Sequence, residues 1–176
     1  MANAAHDPDP DPEQASDAAA GQPRWLDARE TEAWLALWSM MTWLPTRLDA
    51  QLRQDSGLTH PEYHALSQIS MAPDRTVRLS ELATVSNMTL SHLSRVVSRL
   101  EKAGWVRRIP DPDDGRYTRA VLTDSGWAKV RQSAPGHVEA VRRYVFDALT
   151  ADQAMALGGA AAAVVAAVNP PGIARA

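Results

Sequence analysis

Cysteine is absent from the 176 residues. That absence excludes disulfides, thiolate nucleophiles, cysteine-based peroxide sensing and thiolate zinc sites. Phenylalanine occurs once. There is no Gly-rich phosphate loop, and Ser, His and Asp fall into no nucleophile-elbow arrangement, so the pattern does not read as an enzyme. His60, His64, His92 and His137 are scattered rather than grouped with acids, so neither a metal site nor a cofactor is expected. A long apolar run is also missing. Residues 154–168 form an uncharged stretch, but it is mostly Ala and Gly and falls short of the roughly 20 apolar residues of a membrane span. The start of the chain is acidic and Pro-rich, without the apolar segment of a secretory signal. The expectation is a cytoplasmic protein with no membrane partner.

What is present supports one ordinary domain with a tail. Hydrophobic residues make up 45% of the chain and Trp occurs six times, enough for a real core. The net charge of −3 looks wrong for a nucleic-acid partner until its distribution is read. Asp7, Asp9, Asp11, Glu13 and Asp17 make residues 1–20 acidic, with no Lys or Arg. Residues 75–131 hold 11 Lys and Arg against 6 Asp and Glu. The positive charge is therefore concentrated in one central segment.

Residues 1–23 read as a disordered acidic tail, because repeated Asp-Pro and Ala bury too little apolar surface to offset ordering entropy. A helix is expected from Asp27, where Asp27 and Glu30 have capping-box spacing. Its stripe runs through Trp34, Leu37, Trp38, Met41, Leu44, Leu48 and Leu52, with Pro45 expected to kink it and Ser56-Gly57 to end it. Thr59 and Glu62 box the next helix, with Pro61 in the permissive first turn. Residues 76–78 read as extended and 79–85 as a short helix, followed by a turn at Ser86-Asn87-Met88. That turn lacks the Gly common in a helix-turn-helix. Thr89 caps a helix over residues 89–103, with Gly104 beyond its end. Leu90, Leu93, Val96, Val97 and Leu100 form its apolar face. Residues 105–109 and 117–122 flank a turn-forming loop and read as a hairpin. Thr123 caps a long helix to about residue 149, where Pro135-Gly136 is expected to kink or break it. Thr150 and Gln153 box a last helix to about Val168, and residues 169–176 form a C-terminal tail.

Short helix, turn, longer helix and hairpin, in that order, define a mainly α winged helix-turn-helix with a small β-hairpin wing. A recognition helix needs one face to anchor it and another to enter a major groove about 12 Å wide. Ser91, Ser94 and Ser98 allow close approach, and His92, Arg95 and Arg99 supply longer donors; Thr89 stands at the helix start. Arg can read guanine with paired hydrogen bonds or grip phosphate. Arg116 sits at the hairpin tip with Arg119 behind it, suited to a narrow minor groove. Asp113 and Asp114 read as partners that orient an Arg. The hairpin alone would be an ordinary charged turn; the helix pair before it makes it a wing. A winged helix that binds protein is the competing reading, and it has no need of Arg95, Arg99 and Arg116.

The segment from Leu58 to Gly126 resembles the multiple antibiotic resistance regulator (MarR) family. The residues that carry the resemblance are Leu79-Ser80-Glu81-Leu82-Ala83 and Leu93-Ser94-Arg95-Val96-Val97-Ser98-Arg99-Leu100-Glu101-Lys102-Ala103-Gly104-Trp105-Val106-Arg107-Arg108. Asp111-Pro112-Asp113-Asp114-Gly115-Arg116 and Leu122-Thr123-Asp124-Ser125-Gly126 complete it. The resemblance implies a homodimer whose first and last helices, residues 24–54 and 138–168, flank a DNA-binding domain at residues 55–137. It implies binding to a pseudo-palindromic double-stranded operator, and repression released by a small aromatic or phenolic ligand. Trp38, Trp43, Tyr63, His64 and His137 lie in the matching ligand region.

Overall fold

Local cap chemistry sets the helix boundaries. The computed structural model describes residues 23–168; the expected tails at residues 1–22 and 169–176 lie outside the described residues. Helix α1 (Ala28–Ser56) opens on a reciprocal box, with the Asp27 N–H donating to Glu30 at 3.0 Å and the Glu30 N–H donating to Asp27 at 2.8 Å. It runs through Pro45 as one element and ends at Gly57, whose φ of 64° is the left-handed conformation of a helix stop. Helix α2 (His60–Met71) carries the full Thr59–Glu62 box. After strand β1 (Thr76–Arg78) come helices α3 (Leu79–Val85) and α4 (Leu90–Lys102). In the turn between α3 and α4, Asn87 takes φ 49°, the role often given to Gly, because its short polar side chain tolerates that region.

Strands β2 (Val106–Pro110) and β3 (Thr118–Leu122) form the hairpin, and β1 adds to the far edge of β3, giving an antiparallel sheet in the order β1-β3-β2. Val77 pairs with Ala120, and Arg108 pairs with the same residue from the other side. The sequence reading found the extended piece but not its place in the sheet.

Helix α5 (Asp124–Tyr144) corrects a second expectation. Pro135-Gly136 neither breaks it nor ends it early; the helix continues to Tyr144 and a 3-10 turn follows at Phe146–Ala148. Proline removes one N–H donor, and packing against α2 holds the rest. Gly136 faces α1, where an added Cβ would stand 3.4 Å from both the Gln51 amide and the Asp55 carboxylate. Helix α6 (Ala151–Val168) begins on the reciprocal Thr150–Gln153 box. Its 18 residues make it long and apolar enough to cross a membrane by length and composition alone.

The described residues divide into two units, with the boundary between Met40 and Met41 inside α1. In the first unit, Trp34 and Trp38 pair with ring centroids 5.7 Å apart. The second unit holds the core. Leu58, Leu66, Ile69, Leu82, Leu93, Val96, Val97 and Leu100 are fully buried there, closed over by Val106, Ala120 and Leu122. No residue of α6 is buried.

Candidate nucleic-acid interface

Helix α4 divides cleanly. Leu93, Val96, Val97 and Leu100 anchor it in the core. Leu90, expected on that face, is instead 54% exposed, because it lies in the first turn before the helix meets the core. Thr89, Ser91, His92, Arg95, Ser98 and Arg99 are exposed. The Thr89 hydroxyl accepts the His92 N–H at 3.2 Å, so its side chain serves the helix cap. Arg95 makes no ion pair or hydrogen bond among the described residues and projects as an uncommitted guanidinium.

The other predicted residues of this helix are partly committed within the fold. The Arg99 Nε donates to Glu62 at 2.6 Å, which leaves the rest of its guanidinium in solvent. Burial pushes the Glu62 carboxyl up, but the Arg99 pair and the Thr59 bonds outweigh it and hold the group below its ordinary value. Ser94 and Ser98, expected as small groove-facing residues, face the wing. The Arg108 Nη2 donates to the Ser94 carbonyl at 2.6 Å and to the Ser98 hydroxyl at 2.8 Å.

The wing is organised by a residue the sequence reading overlooked. The Asp111 side chain is fully shielded from solvent and receives Arg78 at 2.6 Å and Arg119 at 2.7 Å. It also accepts the backbone N–H groups of Asp113 at 3.0 Å and Asp114 at 3.3 Å, tying the loop into a turn. The Arg78 and Arg119 guanidiniums hold its carboxyl far below the usual range, against burial and with help from those two N–H groups. Arg78 also lies over the Tyr117 ring at 5.1 Å. Arg119, expected as a DNA contact, is turned inward to Asp111 and Asp113, because a buried carboxylate binds a part-buried Arg better than solvent does. Asp113 therefore pairs with Arg119 rather than orienting Arg116. Asp114 does orient Arg116, through bonds of 2.9 Å and 2.6 Å, with the Arg116 side chain 85% exposed. The signal for Asp111 was present: an Asp before Pro, two and three residues ahead of free loop N–H groups, is a standard turn former.

The predicted ligand residues are only partly gathered. The Tyr63 and His137 rings lie 4.6 Å apart, and His60 lies 6.5 Å from His137 and 6.4 Å from His64. His60 is the member the sequence reading left out. Burial, and then the neighbouring His60, lower the His64 and His137 imidazoles, favouring their neutral forms, while burial raises the Tyr63 phenol. The His137 Nδ1 is buried without a hydrogen-bond partner among the described residues. Trp43 is 65% exposed and in no ring contact with this group among the described residues. Trp38 pairs with Trp34 in the other unit.

A helix pair whose second helix presents a free Arg, followed by a hairpin that presents another, defines a winged helix-turn-helix. The sequence model of the MarR family matches residues 58–118. Two solved structures from Streptomyces coelicolor share the fold over nearly their whole length. The MarR family transcriptional regulator Sco3205, in complex with DNA, is 43% identical, with a TM-score of 0.79 over 85% of this chain and 94% of that one. AbsC, another MarR family transcriptional regulator, is 33% identical, with a TM-score of 0.77 over 84% of this chain and 99% of that one. The chain belongs to the MarR family. Against the HTH-type transcriptional regulator PapX of Escherichia coli, it is 30% identical over 70 residues, 40% of this chain, and spans less than half of that protein, 43%.

Proposed function

We propose that this protein is a homodimeric transcriptional regulator that binds a pseudo-palindromic double-stranded DNA operator and acts in the cytoplasm as a repressor. The observation that carries this reading is the pair of outward arginines. Arg95 is uncommitted on the exposed face of α4, and Arg116 is held in position at the wing tip by Asp114. Sco3205, the relative solved with DNA, lends the reading support. Thr89, Ser91, His92 and the open part of Arg99 lie on the same face of α4 and complete the proposed major-groove set.

Dimerisation is supported by apolar surface that the isolated chain leaves in water. Trp25, Trp34 and Leu35 are exposed in the first unit, and Val138, Phe146, Met155 and Val168 in the second. Exposed apolar surface on this scale marks an association surface. Two-fold symmetry in the protein then asks for two half-sites about 10 bp apart.

Selection from a random duplex pool should return such a palindrome. On the selected duplex, Arg95→Ala should weaken binding by roughly tenfold or more and relax the base preference at its position. Arg116→Ala should weaken binding with less change in major-groove preference. Parent-like affinity in both variants would remove these contacts.

Release by a small aromatic acid or phenol is proposed for the Tyr63–His64–His137 group. An aromatic wall beside an unpartnered buried imidazole nitrogen suits a planar ligand with one polar end. Trp43, exposed on α1, is proposed as a further member of that site. Titrating salicylate-like acids should quench Trp fluorescence and release the duplex together. Unchanged DNA affinity across a broad panel would end this part of the proposal.

A further inference from the structure

We infer that Arg108 is a positioning residue that locks the recognition helix to the wing, so that the two DNA-contacting elements of a lobe move as one. The inference rests on the DNA-binding reading above.

Arg108 leaves β2 and reaches back along α4. Its Nη2 meets the Ser94 carbonyl at 2.6 Å, the Ser98 hydroxyl at 2.8 Å and the Ser94 hydroxyl at 3.5 Å. Its Nη1 lies 3.8 Å from the Glu101 carboxylate, whose other oxygen accepts the Arg108 backbone N–H at 3.0 Å. Ser94, Ser98 and Glu101 fall on one edge of the helix, by i, i+4, i+7 spacing. One side chain therefore holds two turns of the recognition helix. Only small residues at positions 94 and 98 let the guanidinium approach the helix backbone. Arg108 keeps this geometry although its buried Nε has no hydrogen-bond partner among the described residues, which leaves the Nη atoms to carry its contacts to α4.

The same strand continues through Pro110 into Asp111, which binds Arg119 on β3 and Arg78 on β1. A chain of polar contacts thus runs from α4 through Arg108 and β2 to the turn that carries Arg116. No apolar contact is needed along this path, so it sets geometry rather than the amount of buried surface. Without Arg108, α4 would still be anchored by its four core residues, and the hairpin would still close. The angle between them would then be held by core packing alone.

The test is a double-mutant cycle on the duplex that the parent protein selects. Arg116→Ala is expected to cost about tenfold in the parent and less than about twofold in an Arg108→Ala background, because a wing that is not held in register gains little from its tip contact. Arg108→Lys should restore part of the coupling, since an ammonium can donate to both Ser94 and Ser98. Ser98→Val, which blocks the guanidinium's seat and leaves Arg108 in place, should reproduce the loss and serves if Arg108→Ala does not fold. Equal cost of Arg116→Ala in both backgrounds, with DNA binding otherwise intact, would overturn the inference alone. No effect of Arg116→Ala in the parent would overturn the wing contact and the inference together.

Discussion

Replacing Gly126 with alanine is expected to destabilise the protein by about 3 kcal/mol, the upper range for forcing an atom into packed structure. The melting temperature should drop by roughly 10 °C for a chain of this size. The first turn of α5 lies directly on the end of α4. A Cβ at position 126 would run into the Trp105 carbonyl oxygen and stand 2.8 Å from a Leu122 methyl. The obstacle is backbone, which cannot swing aside as a side-chain end can. Three further bonds hold the approach. The Thr123 and Ser125 hydroxyls each donate to the Gly104 carbonyl at 2.8 Å, and the Gly126 N–H donates to Thr123 at 3.0 Å. Gly115→Ala is the control, because nothing lies within 4 Å of its Cβ. A Gly126→Ala protein as stable as Gly115→Ala would contradict this packing.

The second large effect is expected at Asp111. An asparagine in its place would offer one weak acceptor where Arg78, Arg119 and two loop N–H groups now meet a carboxylate. Arg78 would be left without its paired carboxylate, and Arg119 would keep Asp113 alone. Asp111→Asn should lower DNA affinity by about tenfold or more, the size of a lost direct contact, although Asp111 itself faces away from solvent. Hydrogen exchange should show lost protection at the Asp113 and Asp114 amides, with the α2 amides unchanged. The folded-state pKa of Asp111 is depressed. Its contribution to stability is therefore complete above the ordinary carboxylate value and is lost as pH falls through the acid range below it. Between about pH 5 and 8 the wild-type wing should not respond to pH through this group, and a wing that loosened there would point to another group.

Helix starts were the most legible part of the sequence. Asp27, Thr59, Thr89, Thr123 and Thr150 all cap where their spacing to a following residue required, because a cap is a local bond between near neighbours. The β1 pairing was not legible. Three residues have no measurable periodicity, and their partner on β3 is about forty residues away. The rule that proline breaks a helix misled at Pro135, where tertiary packing of α5 prevailed over local preference.

The arginines were legible as a set and not as individuals. Composition and spacing identified Arg95, Arg99, Arg116 and Arg119 alike, since each is a basic residue beside a helix or hairpin. What separates them is the acid each one meets. Arg119 meets a buried carboxylate, Arg99 meets Glu62 on a neighbouring helix, Arg116 meets the half-buried Asp114, and Arg95 meets none among the described residues. Those pairings cross 37 residues for Arg99 and 33 for Arg78, beyond the reach of any local pattern. Arg108 lies within the stretch that carries the family resemblance, but its seat on Ser94 and Ser98 depends on the angle between β2 and α4.

DNA binding by this chain requires the outward arginines to meet a phosphate backbone and base edges. Affinity for the selected duplex, measured across salt from about 50 to 200 mM, tests it most directly. Log affinity should fall linearly with log salt, with a slope steeper than about −3, made shallower by about one unit per lost phosphate contact in Arg116→Ala. A slope near zero, the same in parent and variant, would contradict it.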